Sequence, residues 1–85
     1  MGQIENMNQL SYLNKEIGKR IKETRELRNL SQKNFGEILG IDTELISDLE
    51  SGSISITPEQ LTKLWKEFKI SPHLIITGET YRYTA

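Results

Sequence analysis

One histidine, no cysteine and a scatter of serines are what this chain offers for covalent or acid–base chemistry. A serine nucleophile needs an arranged base. His73 has no cysteine or clustered histidine beside it. It follows Ser71-Pro72 in the first turn of a short expected helix, so it reads as a surface residue and not as a metal ligand. There is no P-loop, no Gly-x-Gly-x-x-Gly and no nucleophile elbow. No catalytic residue, cofactor or metal site is expected. The missing thiols exclude disulfides and thiolate metal sites and leave the redox compartment open.

Charge is the more informative chemistry, and it is divided. Lys15 to Lys33 holds seven basic and three acidic residues, a net of +4, whereas Glu37 to Glu67 holds seven acidic and two basic, a net of −5. The total of −1 hides this asymmetry. A basic stretch suits phosphate and an acidic one is repelled by it. The plainer reading is that both are the solvated faces of helices.

These groups must be positioned by a chain of 85 residues, which is one small domain. Apolar residues make up 35% and charged residues 27%, a composition that suits a soluble globular fold. The longest apolar run, Leu74-Ile75-Ile76, is far too short to span a bilayer. Met1-Gly2-Gln3-Ile4-Glu5 lacks the basic-then-apolar pattern of a secretory signal. The expectation is a cytoplasmic protein with no membrane partner.

The elements read as all-α. Residues 1–12 form either a loose arm or an extension of the first helix. Helix one starts between Asn8 and Asn14 and runs to about Arg28, with Ile17, Ile21 and Leu27 as its apolar stripe. Asn29 provides a left-handed stop and Leu30 packs inward. Helix two runs from the N-cap Ser31 to about Leu39, with Phe35, Ile38 and Leu39 inward. Helix three runs from the N-cap Asp42 to about Glu50, with Leu45, Ile46 and Leu49 inward. Gly40 and Gly52 end these two helices. Ser53-Ile54-Ser55-Ile56 alternates like a strand but has nothing to pair with, and reads as an extended loop. Thr57, Pro58 and Gln60 form a cap, a first-turn proline and a capping box for helix four, which runs to about Phe68. Leu61, Leu64, Trp65 and Phe68 are its core face. Ser71-Pro72 opens a short helix five ending at Gly78. Residues 79–85, with Tyr81 and Tyr83, read as a tail or as part of a dimer contact.

Only Gly40 and Ile41 separate Leu39 from the Asp42 cap. A turn that short forces two helices to cross steeply, as in a helix-turn-helix. Gly36 costs about 1 kcal/mol inside a helix, which close approach of helix three would offset. Such a unit is consistent with DNA recognition by helix three in the major groove.

At this point the chain resembles the Cro and phage-repressor (XRE-type) helix-turn-helix family. The resemblance rests on the order and spacing of Ile17-Gly-Lys-Arg-Ile-Lys-Glu-Thr-Arg25, Leu30-Ser31-Gln32, Leu39-Gly40-Ile41, Ile46-Ser47-Asp48-Leu49-Glu50-Ser51-Gly52 and Ile70-Ser71-Pro72-His73-Leu74-Ile75-Ile76-Thr77-Gly78. It implies a compact five-helix bundle over 13–78, acting as a homodimer on double-stranded DNA to regulate transcription, repressor-like, with residues 43–50 as the recognition helix. By position it implies that Thr43, Glu44, Ser47 and Asp48 face base edges. It implies that Ser31, Gln32, Lys33, Ser51 and Ser53 lie where the family meets the phosphate backbone. Arg25 and Glu50 fall where the family often has a structural ion pair.

The chain also departs from that pattern. The base-facing set holds two acids, and the loop from Ser51 to Thr57 has no basic residue. A carboxylate accepts a hydrogen bond from cytosine N4, so Glu44 is compatible with base readout. Lys33 and the helix-one residues Lys19, Arg20 and Lys22 offset the acids only if they face the duplex. The alternative is a protein-interaction module that retained the fold and turns an acidic helix three toward a basic protein partner. For the dimer surface, helix five with the tail is the expectation, and an extended helix one is the competitor.

Overall fold

The computed structural model describes the backbone of residues 2–79 and the side chains of residues 9–79. Five helices follow one another: α1 Gly2–Glu26, α2 Gln32–Leu39, α3 Thr43–Ser51, α4 Pro58–Phe68 and α5 Pro72–Thr77. No strand occurs among the described residues, and the Ser53–Ile56 stretch is a loop, as its isolation implied. The expectations for Tyr81 and Tyr83 lie outside the described residues.

The stops and starts follow from local chemistry. Ser31 Oγ accepts from Asn34 N at 3.0 Å, and Ser71 Oγ accepts from Leu74 N. Thr57 and Gln60 close a reciprocal capping box, with Thr57 N donating to Gln60 Oε1 at 2.9 Å. Asn29 adopts φ 56°, so the chain reverses there with little strain, since Asn tolerates the left-handed region. Asp42 holds the N-cap position of α3, yet its side chain makes no capping hydrogen bond.

Helix one is longer than its core requires. No glycine or proline interrupts residues 3–17, and the helix continues back to Gly2 instead of starting between Asn8 and Asn14. Leu10, Tyr12 and Leu13 on this overhang are exposed. Asn14 Oδ1 accepts from Ser55 Oγ at 3.1 Å, so the overhang leaves the bundle beside the α3–α4 loop.

The core is small. Ile21, Phe35, Ile46 and Ile75 are wholly buried. Leu39, Ile41, Leu49, Leu64 and Ile70 complete the buried cluster. Phe35 and Phe68 stack with ring centroids 5.1 Å apart. Helix α1 packs on α3 and α5, α2 on α3 and α4, and α4 on α5. Four residues expected inside point elsewhere. Leu27 is 80% exposed because α1 ends at Glu26 and the chain is already turning. Ile38 and Leu45 lie at the edges of narrow buried stripes (Phe35, Gly36 and Leu39 on α2; Ile46, Leu49 and Glu50 on α3) and remain exposed. Trp65 is 47% exposed, with Lys69 Nζ 5.1 Å from its ring centroid. Helix five uses most of its apolar run internally: Ile75 is buried, Leu74 half-buried, and Ile76 exposed.

Candidate nucleic-acid interface

Two glycines set how closely α3 approaches its neighbours. A Cβ on Gly18 would lie 2.6 Å from Glu50 O and closer still to Leu49 O, so α1 and α3 touch backbone to backbone at this point. A Cβ on Gly36 would lie 2.5 Å from Ile41 O and 3.4 Å from Ile46 Cγ1. Gly36 therefore answers chiefly to the turn, and only secondarily to α3. The turn itself is held by Ile41 N donating to Gly36 O at 2.8 Å and by burial of the Ile41 side chain.

Above the Gly18 crossing sits the expected ion pair. Arg25 Nε donates to Glu50 Oε2 at 2.7 Å and Nη2 to Oε1 at 3.0 Å, a bidentate fork. Arg25 Nη1 donates to Leu30 O at 2.7 Å, joining the seam to the α1–α2 turn. Both residues are buried. The hydrogen bonds from Arg25 to Glu50 raise the Arg25 pKa above its ordinary value, with the nearby Glu50 charge adding to them; burial opposes this and loses. One residue joins unforeseen: Gln32 Nε2 donates to Glu50 Oε1 at 3.0 Å. The carboxylate thus links α1, α2 and α3. Among the described residues no buried side-chain nitrogen or oxygen lacks a partner.

The outer face of α3 is different. Thr43, Glu44, Ser47 and Asp48 are all exposed. Neither Glu44 nor Asp48 enters an ion pair among the described residues. The head of α2, which reaches Glu50 of α3 through Gln32, carries Ser31, Gln32 and Lys33, where the first backbone N–H groups have no intrahelical acceptor. Ser51 Oγ donates to Asp48 O and lies 2.7 Å from Ser53 Oγ, so the two hydroxyls form one exposed cluster after α3.

The cations of residues 15–33 divide by type. Arg25 is buried in the seam. Arg20 Nη1 donates to Ile75 O and Ile76 O, each at 3.2 Å, which turns it to the end of α5. Arg28 donates to Thr24 O at 2.7 Å and lies over the Phe68 ring. The lysines Lys15, Lys19, Lys22 and Lys33 are exposed. Lys15 packs at Gly52, where a Cβ would meet its Cα at 2.6 Å, which puts a lysine at the end of α3. The basic stretch is therefore not one electrostatic face: its arginines serve the fold and its lysines face water.

A five-helix bundle with a three-residue linker and an exposed polar face on its third helix is one architecture with many sequences. The model of the helix-turn-helix domain family matches residues 18–80. The chain belongs to the helix-turn-helix family of the phage-repressor (XRE) type. Relatives within reach of sequence comparison include Antitoxin PezA of Streptococcus pneumoniae serotype 4, 35% identical over 63 residues, which are 74% of this chain and 39% of that protein. Another is an uncharacterized HTH-type transcriptional regulator, y4wC, of Sinorhizobium fredii, 30% identical over 56 residues, 66% of this chain and 39% of that protein. The matches thus span well under half the length of these two relatives.

Within the helix-turn-helix reading, the expected site residues fall in three groups. Arg25 and Glu50 are joined in the seam. Ser31, Gln32 and Lys33 gather at the head of α2. Thr43, Glu44, Ser47 and Asp48 share the outer side of α3, with Ser51 and Ser53 at its end. The sequence reading missed Gly18 and the Gln32–Glu50 bond. Gly18 carried a signal, because it lies seven residues before Arg25 and so two turns along the same face. Gln32 and Glu50 are 18 residues apart in different helices, and nothing local announced their contact. Among the described residues no cluster of His, Cys, Asp and Glu is placed to hold a metal ion, and no helix is long and apolar enough to cross a membrane.

Proposed function

We propose that the chain is a sequence-specific DNA-binding regulator of transcription, repressor-like, that works as a pair of identical copies on a two-fold site. The observation that supports this most is the outer face of α3. It is polar, exposed and unpaired among the described residues, on a helix whose inner face is tied to the head of α2 through Glu50 and Gln32, in a chain of the helix-turn-helix family. In this reading α3 enters the major groove, and Thr43, Glu44, Ser47 and Asp48 meet base edges. The Glu44 and Asp48 carboxylates accept from base amino groups, cytosine N4 foremost. Ser31, Gln32 and Lys33 meet one stretch of phosphate backbone, and Ser51 and Ser53 another.

The electrostatics of this reading are lean. No basic residue lies on α3 or in the loop from Ser51 to Thr57, and Lys15 beside Gly52 is an exposed cation at the end of α3. Each phosphate neutralised contributes about −0.9 to the slope of log affinity against log salt. Affinity should accordingly fall with salt less steeply than for regulators with a basic recognition helix. The decisive test is by variants. Gln32→Ala should weaken binding to all duplexes about equally, while Glu44→Ala should change which sequence is preferred. If Glu44→Ala leaves both affinity and preference untouched, this docking is wrong.

One observation favours a second reading. Glu44 and Asp48 are exposed without cations among Ser51 to Thr57, and one relative is named an antitoxin. A protein-interaction module would turn this acidic face toward a basic protein partner. That reading predicts capture of a basic protein that is lost in the Glu44→Lys/Asp48→Lys double variant.

A further inference from the structure

We infer that Glu50 is a positioning residue for DNA binding: its carboxylate, neutralised by Arg25, aims the Gln32 carboxamide at the phosphate backbone. This rests on the proposed contact between Gln32 and phosphate, and goes beyond the ion pair's part in holding the helices together.

A glutamine at an exposed helix start samples many rotamers, and fixing it on binding costs side-chain entropy. Here the side chain is half-buried and already fixed. Its Nε2 has two N–H groups. One is donated to Glu50 Oε1 at 3.0 Å; the other has no acceptor among the described residues. Two bonds on one planar nitrogen diverge, so holding one sets the direction of the other. The holder is itself rigid, because the carboxylate is gripped by two bonds from Arg25, and Arg25 is tied to Leu30 O immediately before Ser31. The same guanidinium touches the turn that leads into α2 and the group that orients the first side chain of α2.

Charge makes this arrangement workable. A bare carboxylate beside a phosphate site would repel the ligand it is meant to help bind. The bidentate Arg25 cancels that charge at a distance of 2.7 Å, leaving Glu50 as an acceptor with little net field. Hydrogen bonds to a charged partner are the strong ones, so an oriented Gln32 donor has a measurable effect on phosphate affinity.

The test uses the full chain and an arbitrary mixed-sequence duplex at low salt, because a phosphate contact is indifferent to sequence. Four variants are compared with the unmodified chain: Gln32→Ala, Arg25→Met/Glu50→Leu, the latter combined with Gln32→Ala, and Arg25→Met/Glu50→Gln. Replacing both partners of a buried pair by apolar residues keeps such folds intact, and thermal unfolding checks this for each protein. Gln32→Ala is expected to lower affinity roughly tenfold to a hundredfold, the range of one hydrogen bond to a charged group. The Met/Leu variant should lose about as much, and adding Gln32→Ala to it should cost nothing more. The Met/Gln variant restores a neutral acceptor oxygen for Gln32 and should recover most of the loss, which a role in stability alone would not produce. If the Met/Leu variant binds like the unmodified chain, or if Gln32→Ala retains its full effect in that background, Glu50 does not position Gln32. If Gln32→Ala alone has no effect on affinity, the phosphate contact itself is wrong, and the inference is overturned with it.

Discussion

Helix α3 has two faces, and its three acids divide between them. Glu50 on the inner face is buried, bidentate to Arg25 and bonded to Gln32. Glu44 and Asp48 on the outer face are exposed and make no ion pair among the described residues. Residue type is the same; neighbourhood decides the role. A buried carboxylate without a partner is costly, so its presence implies the cation that accompanies it. An exposed carboxylate imposes no such demand on the fold, so the two on the outer side of α3 are left available to a partner. The inner face explains how the domain holds together, and the outer face carries the proposed DNA readout.

The comparison is most easily broken from the inside. Glu50→Ala strands Arg25 in the seam and should cost about 3–5 kcal/mol, a large part of what a domain of this size has, as seen in chemical denaturation. The raised Arg25 pKa fixes how this depends on pH. A raised pKa means the stability is present below the unfolded value and is lost only as pH rises through the folded one. The midpoint of the unmodified chain should therefore show no loss from Arg25 deprotonation across the neutral and moderately alkaline range. Gly18→Ala comes next. Its methyl group would meet the Leu49 and Glu50 carbonyls, and forcing α1 away from α3 should cost about 1–3 kcal/mol in the same measurement. Thr57→Ala removes one half of the α4 capping box and should cost about 1 kcal/mol. Glu44→Ala and Asp48→Ala should move stability by less than about 0.5 kcal/mol while changing DNA sequence preference. An effect on unfolding as large as that of Gly18→Ala would place these acids in the fold's own bonding and erase the distinction between the faces.

Much of the fold was legible because its punctuation is local. Ser31, Gly40, Thr57-Pro58 and Ser71-Pro72 each act within a turn, and each holds the position it was read to hold. What failed were side-chain directions at the margins. Leu27, Ile38, Leu45 and Trp65 are apolar and correctly spaced, but the core is too small to bury every flank of its helices. At the proposed site, geometry speaks to one contact. Arg25 and Glu50 meet as the family pattern implied. The Gln32 bond was invisible because it joins two helices through packing that no local pattern encodes. Charge along the chain was also a poor guide: Arg20, Arg25 and Arg28 are engaged by carbonyls, a carboxylate and a ring, so a stretch of net +4 leaves mainly its lysines unengaged by the fold.

The most direct test of the claim that the outer face of α3 reads DNA is selection of bound duplexes from a random-sequence pool, at low and at physiological salt. The account predicts enrichment of a two-fold symmetric site with affinity that falls as salt rises. Absence of both enrichment and retention, even at low salt, would contradict it and leave the acidic face to a basic protein partner.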